Sequence, residues 1–165
     1  MKKIITASLL LATGLTFANN FPAALQMRPV SDKIFFNPLV GLGEGADDSN
    51  VGLAFGAAVG YRFNSLIMAE FDAVRTPRGS DSSVLMAIGP RFTANFNNTW
   101  SAYAKIGLGV VYNTGDESYS RFATILGLGA KMAINASWGL NAEVSGSLGS
   151  GANTYAILFG PYFRF

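Results

Sequence analysis

Glu70 and Asp72 are the residues whose types and spacing come closest to a catalytic pair. Two carboxylates two positions apart in a strand lie on one face, where they could serve as general acid and base in a hydrolase. The chain has no histidine and no cysteine, so a serine lacks its usual base and there is no thiol nucleophile. Pairing with arginine and lysine explains the two carboxylates more simply, and the sequence predicts neither an enzyme nor a cofactor.

Seven other charged residues alternate with apolar ones in the way that Glu70 and Asp72 do. They share the side of the chain that carries most of the glycines, opposite a side of bulky apolar residues. The seven are Arg62, Arg91, Lys105, Arg121, Lys131, Glu143 and Arg164. Together with the two carboxylates they make six basic and three acidic residues. We therefore expect a charged wall that is held by ion pairs and carries a positive surplus.

The elements that position these residues are read from alternation with a period of two, which indicates β-strands. Eight strands are predicted at 33–43, 51–63, 66–74, 82–96, 100–112, 121–134, 138–149 and 154–165. Short polar links at 64–65, 97–99 and 135–137 alternate with longer links at 44–50, 75–81, 113–120 and 150–153. This layout predicts an all-β, eight-stranded, antiparallel up-and-down barrel.

The two faces of the strands decide which way the barrel is turned. A soluble lipocalin-type barrel has a large apolar inward face and charges outside. Here the charged face is also the glycine-rich face, which suits a narrow, crowded interior. The composition is 50% hydrophobic and 13% charged. These features favour a transmembrane barrel whose apolar face meets lipid and whose short turns are periplasmic.

The N-terminus has the pattern of an export signal. Lys2 and Lys3 precede an apolar stretch that ends before Ala18, and about 14 apolar residues are too few to span a ~30 Å hydrocarbon core. We predict a cleaved signal peptide at 1–18, a tail of uncertain structure at 19–32 and the barrel at 33–165. The net charge of +2 falls to zero once both lysines are removed, so no nucleic-acid partner is expected. The predicted location is the cell outer membrane.

Aromatic residues indicate the membrane interface and an assembly signal. Trp100 and Trp138 each open a strand directly after a short turn, where an interfacial aromatic girdle is expected. The alternation that ends in Phe163 and Phe165 is typical of outer-membrane barrels. We expect the barrel-insertion machinery to recognise Phe165 and the alternating residues before it.

The predicted turns allow two sets of interior ion pairs to be proposed. Glu70 is expected nearly opposite Gly60, with Arg62 as its diagonal neighbour. Around the 135–137 turn, Lys131 is expected to face Glu143 directly or diagonally. An eight-stranded barrel is just wide enough to be filled by side chains. The interior is therefore predicted to be sealed by ion pairs, and a narrow pore that favours anions is the alternative.

The longer links have the opposite charge, with six acidic and two basic residues. The acidic residues are Glu44, Asp47, Asp48, Asp81, Asp116 and Glu117, and the basic ones are Arg75 and Arg78. Such links could bridge to lipopolysaccharide through divalent cations or contact a basic host surface. Ordinary solvated loop tips are the simpler reading. A ligand is therefore sought at 44–50, 75–81 and 113–120, although the first lacks the spacing of an EF-hand loop.

Three segments resemble the OmpA/OmpX-type family of eight-stranded outer-membrane barrels. They are Gly60–Asn64, Trp100–Gly109 and Pro161–Phe165, and the likeness covers about 33–165. The resemblance implies a non-catalytic structural or surface role in the cell envelope. A small-solute pore, a conduit for hydrophobic molecules and an adhesin remain as alternatives. No peptidoglycan-binding domain is expected after the barrel, and the short outer links are unlike those of adhesive relatives.

Overall fold

In the computed structural model the alternating segments form eight strands that close into one antiparallel barrel. The structure describes residues 29–44, 51–78, 81–114, 118–149 and 154–165. The strands are β1 (Ile34–Glu44), β2 (Val51–Arg62), β3 (Ile67–Arg78), β4 (Asp81–Asn95), β5 (Trp100–Thr114), β6 (Tyr119–Ala133), β7 (Trp138–Leu148) and β8 (Thr154–Arg164). The predicted fold class is confirmed. The predicted signal peptide and most of the 19–32 tail lie outside the described residues.

The strands are staggered around the barrel. Each pairs with its sequence neighbours, and β8 closes against β1. Following the register partner by partner from Ile34 once around the barrel returns to β1 at Glu44, ten residues further along. A stagger of this kind tilts the strands by about 40° from the barrel axis. Side chains from strands that are not neighbours therefore meet at one height in the interior.

Several strands are longer than predicted. β3 continues to Arg78, which pairs with Asp81 at the start of β4, so most of the predicted 75–81 loop is strand. β5 reaches Thr114 and β6 begins at Tyr119, which shortens the predicted 113–120 loop in the same way. Polarity alone led to the loop assignment. The backbone hydrogen bonds of a hairpin do not depend on apolar side chains, so the pairing runs on past the apolar band.

The three short turns are built in the same way. The side-chain oxygen of Asn64 accepts hydrogen bonds from the backbone N–H groups two and three residues ahead, both at 2.8 Å. Asn97 and Asn135 make the same pair of bonds, at 2.7–2.8 Å and 2.8–3.0 Å. Asparagine favours such turns because its side chain can replace a backbone acceptor. We call this end of the barrel the turn end and the opposite end the loop end.

The two faces of the barrel differ sharply in chemistry. Large apolar side chains point outward all around it, and Phe122 on β6 is 86% exposed. Water is a poor environment for so much contiguous apolar surface. Charged and small residues point inward, so the core of the molecule is the lumen itself.

Backbone pairing lapses at one point of the β1–β8 closure. The paired positions stop at Phe36 and Phe163 and resume at Val40 and Phe159. In the register, Pro38 lies opposite Pro161 inside this gap, and proline has no N–H to donate to a ladder. Close backbone approach keeps the two strands together here, because a Cβ added at Gly160 would collide with the Pro38 carbonyl oxygen.

Candidate functional site: the charged interior

Lys105 is the centre of the interior charge network. Its Nζ lies 2.7 Å from Asp72 Oδ1, 2.8 Å from Glu143 Oε1 and 3.3 Å from Glu70 Oε1. Lys105 stands on β5, while the three carboxylates stand on β3 and β7, each two strands away. One ammonium group therefore joins side chains from three separate parts of the barrel wall.

Arg91 extends the network from β4. It forms an ion pair with Glu70, and its guanidinium carbon lies 3.3 Å from the centre of the Tyr103 ring. The Tyr103 hydroxyl donates to Glu143 Oε2 at 2.7 Å and approaches Asn141 Oδ1 at 2.9 Å. Arg91 and Tyr103 thus link the two carboxylates that Lys105 also holds. Tyr103 and Asn141 were absent from the predicted set, although both lie on its inward face.

Lys131 has aromatic neighbours rather than the expected carboxylate. Its Nζ lies 4.0 Å from the centre of the Phe35 ring, 5.1 Å from that of Tyr162 and 5.4 Å from that of Tyr103. Within the described residues it forms no ion pair. The register aligns Lys131 with Asn141, and the carboxylate of Glu143 is occupied by Lys105. A lysine over aromatic faces is stabilised by cation–π attraction.

Glu70 also has a different partner from the one expected. It lies directly opposite Gly60, as the turn geometry suggested, but its cations are Arg91 and Lys105 rather than Arg62. Arg62 is the last residue of β2 and is half-buried. Water can solvate it there, whereas the enclosed Arg91 needs a carboxylate.

The interior charges balance at the centre. Six of the nine predicted residues are buried, and they comprise Glu70, Asp72, Glu143, Arg91, Lys105 and Lys131. Three acids and three bases give no net charge. The surplus of three therefore belongs to the half-buried Arg62, Arg121 and Arg164, which lie near the ends of their strands.

Two of these arginines have contacts in the structure. Arg164 donates from Nη2 to the carbonyl oxygen of Asn135 in a short turn, at 2.9 Å. The guanidinium carbon of Arg121 lies 4.4 Å from the centre of the Tyr119 ring near the loop end. Both contacts lie near an end of the barrel rather than in the network around Lys105.

Apolar side chains lie in the lumen beside the charge network. The sequence pattern placed bulky apolar residues on the outward face, so it did not predict them. One buried cluster includes Leu39, Val74 and Leu158, and another includes Val111 and Ile125. Among the cavities of the described part, one beside Lys105 and Gly107 and one beneath the loop end have room for about one water molecule each. Packed apolar layers thus lie alongside the ion pairs.

The aromatic residues singled out from the sequence lie at the turn end. Trp100 and Trp138 are the first residues of β5 and β7. Phe163 pairs with Phe36 and with Trp138. Phe165 exchanges backbone hydrogen bonds with Ile34, at 3.0 and 3.2 Å. These contacts close the barrel at the turn end.

Neither a metal site nor a membrane-spanning helix is found in the described ranges. No group of three or more histidine, cysteine, aspartate or glutamate side chains is arranged there to hold a metal ion. No helix there is long and apolar enough to cross a membrane. The acidic residues Asp47, Asp48, Asp116 and Glu117, proposed as ligand contacts, lie outside the described residues.

Comparison with known families identifies the chain. The model of the outer membrane protein β-barrel domain matches residues 7–165. The chain belongs to this outer-membrane β-barrel family. The membership confirms the family resemblance drawn from the sequence and makes the outer membrane the location of the protein. The match begins within the predicted signal peptide, whose cleavage stays a prediction.

Solved outer-membrane barrels have the same fold. The N-terminal barrel domain of OprF from Pseudomonas aeruginosa is 12% identical, with a TM-score of 0.65 over 85% of this chain and 100% of that one. OprG from the same organism is 11% identical, with a TM-score of 0.61 over 84% and 98%. Ail, the attachment invasion locus protein of Yersinia pestis, is 16% identical, with a TM-score of 0.58 over 81% and 97%. Because the identities are only 11–16%, these likenesses establish the fold alone. No curated protein sequence matches significantly.

Because the barrel lies in the outer membrane, each of its ends can be assigned to one side of the membrane and its outer wall to the lipid. In such barrels the short turns face the periplasm and the longer loops face outward. The turn end is therefore periplasmic and the loop end extracellular. The exposed apolar wall is the surface that meets lipid.

Proposed function

We propose that the protein is a non-catalytic structural barrel of the outer membrane whose lumen is sealed by its ion-pair network. The main support for this proposal is the burial of Arg91. It is 0% exposed, and its partner Glu70 is 2% exposed. A continuous water path would wet the charged groups along it. Arg91 and Lys105 instead meet carboxylates inside the lumen, as buried charges usually do, and each side chain of this network occupies space that a pore would need.

The charge distribution supports a sealed barrel over an anion-selective pore. Selectivity for anions calls for a net positive charge where the path is narrowest. The buried groups at the centre of this lumen sum to zero, and the surplus cations are the partly exposed arginines near the ends. A conduit with a lateral opening at Pro38 and Pro161 is disfavoured because the backbone approaches closely at Gly160.

The same contacts argue against an acidic catalytic pair. Glu70 and Asp72 share the ammonium of Lys105, and Glu70 also pairs with Arg91. A general acid or base must reach a substrate proton. Both carboxylates are buried and have partners, which supports a structural role.

Single-channel conductance tests the sealed lumen. Residues 19–165 are refolded in detergent, folding is checked by heat-dependent gel mobility, and the protein is placed in a planar bilayer. We expect no discrete conductance from the native protein. Removing side chains from the network, as in Arg91→Ala combined with Lys105→Ala, should produce openings, whereas the outward-facing Leu108→Ala should not. Anion-favouring steps from the native protein that weaken when Arg91 or Lys105 is neutralised would establish a pore instead.

The outer loops are the proposed contact surface with the envelope. Ail has been solved in complex with the heparin analogue sucrose octasulfate, but the predicted outer links at 44–50 and 113–120 of this chain carry five acidic residues and no basic one. We therefore propose divalent-cation bridges to lipopolysaccharide rather than a sulfated ligand. Chelation of divalent cations should weaken lipopolysaccharide retention if this is correct. Recognition of Phe165 by the insertion machinery stays a prediction.

A further inference from the structure

Arg75 is a charged residue on the outer wall of the barrel. Sequence patterning placed it in a loop, but it lies within β3, which continues to Arg78. The inward neighbours Val74 and Thr76 are buried, whereas Arg75 is exposed. It pairs in register with Phe55 on β2 and Val84 on β4, and Phe55 is itself outward and 47% exposed. A cation therefore stands among the apolar residues that face lipid.

The position of Arg75 along β3 puts it near the outer edge of the membrane. It follows Ile67, the first residue of β3 at the periplasmic turn, by eight residues. A rise of about 3.3 Å per residue and a tilt of about 40° convert this to roughly 20 Å along the barrel axis. The apolar band of such barrels is ~25 Å tall. A long arginine stem can carry its head the remaining distance to the head groups.

Arg75 also has no counter-charge within the described structure, where it forms neither a hydrogen bond nor an ion pair. A lipid-facing arginine costs about 2–4 kcal/mol at mid-bilayer but only about 0–1 near the interface. At the interface a guanidinium can bind phosphate through two parallel hydrogen bonds. The next outward row toward mid-membrane pairs Ala57 with Ala73, so the wall directly below the guanidinium is formed by small side chains against which an acyl chain can lie.

We propose that Arg75 binds the phosphate of a phosphorylated lipid in the outer leaflet and anchors the β2–β4 face of the barrel to that lipid. The guanidinium holds the head group, and the apolar wall formed by residues such as Phe55 meets the acyl chains. This inference needs the outer-membrane location but not the sealed lumen. The conductance experiment can therefore contradict the sealed lumen without contradicting the lipid contact of Arg75, and the lipid-retention experiment can do the reverse.

Lipid retention tests the proposal. The refolded protein is loaded with lipid A or with dephosphorylated lipid A in phosphatidylcholine nanodiscs, and native mass spectrometry counts the lipid kept after detergent exchange. Arg75→Gln should reduce lipid A retention about tenfold, the equivalent of one charge-assisted contact. Arg75→Lys should retain more lipid A than Arg75→Gln, because lysine keeps the positive charge, but less than the native protein, because it cannot form the two parallel hydrogen bonds.

Two comparisons make the test specific. Arg121→Gln removes a cation near the same end but on the inward face, and it should retain lipid A like the native protein. Dephosphorylated lipid A should bind native protein and Arg75→Gln equally. An equal loss of both lipids in Arg75→Gln would overturn the proposal, because it would mean that Arg75 does not recognise the phosphate. Arg75 would then be expected to pair with a loop carboxylate instead. Native-like retention by Arg75→Gln, or an equal loss in Arg121→Gln, would overturn it as well.

Discussion

The guanidinium of Arg91 stacks on the ring of Tyr103, 3.3 Å from its centre, across the β4–β5 pair. The same Tyr103 donates its hydroxyl to Glu143, and the same Arg91 pairs with Glu70. One stacked pair thus joins two carboxylates that lie on different sides of the lumen. The arrangement makes the interior a connected network rather than a set of separate ion pairs.

Removing Lys105 should destabilise the barrel strongly. Lys105→Met leaves Glu70, Asp72 and Glu143 buried with one cation fewer, and breaking a buried pair costs about 3–5 kcal/mol. Urea unfolding in lipid vesicles, followed by gel mobility, measures the change. Lys33→Met removes an exposed cation and should change stability by less than about 1 kcal/mol. Equal effects of the two variants would mean that the network does not stabilise the fold.

Gly160→Ala should damage the closure of the barrel. The added methyl group would collide with the Pro38 carbonyl across the β1–β8 gap, and overpacking of this kind costs about 1–3 kcal/mol. The yield of heat-modifiable barrel and the urea midpoint report the loss. Gly146→Ala is the matched control, because its added Cβ would lie 3.0 Å from the Tyr155 ring and 3.1 Å from the Thr154 carbonyl oxygen, a far milder approach than the collision at Gly160. A native-like Gly160→Ala would show that the two backbones can separate at this point.

Asn135→Ala should weaken the last periplasmic turn. Its side-chain oxygen accepts from the N–H groups of Ser137 and Trp138, and the loss of two such bonds amounts to about 1–2 kcal/mol. The unfolding midpoint should fall accordingly. Asn98 is the exposed turn residue next to Asn97, and Asn98→Ala should leave the midpoint unchanged. The prediction fails if the two alanine variants behave alike.

The two tryptophans should report the periplasmic interface. The chain has two tryptophans, so Trp100→Phe and Trp138→Phe each leave a single fluorophore at the turn end. Lipids brominated near the head group should quench both more than lipids brominated near the chain ends. A deep reference is obtained with both tryptophans replaced and Ile106→Trp added, because Ile106 faces outward and lies six residues from the turn end, near the middle of the apolar band. Quenching of Trp100 or Trp138 that matches this deep reference would contradict an interfacial position.

Local patterning anticipated the faces of the barrel but not the partners within it. Glu70, Asp72 and Lys105 all point inward, as their alternation indicated, because successive side chains of a strand must alternate. The partners of Glu70 were predicted wrongly, since Arg62 is its neighbour in the hairpin whereas Arg91 and Lys105 meet it across the lumen. Arg75 was misjudged because its polarity indicated a loop.

The eight strands, their inward and outward faces and the positions of the short turns can all be read from the sequence. These features depend on residues within one strand or one turn, such as the asparagines that accept two backbone N–H groups. The closed barrel is needed to see that Lys105 joins three carboxylates, that Lys131 lies over aromatic rings and that Arg75 faces lipid. The ten-residue stagger of the closed barrel brings distant strands to one height, and no spacing within a single strand contains that information.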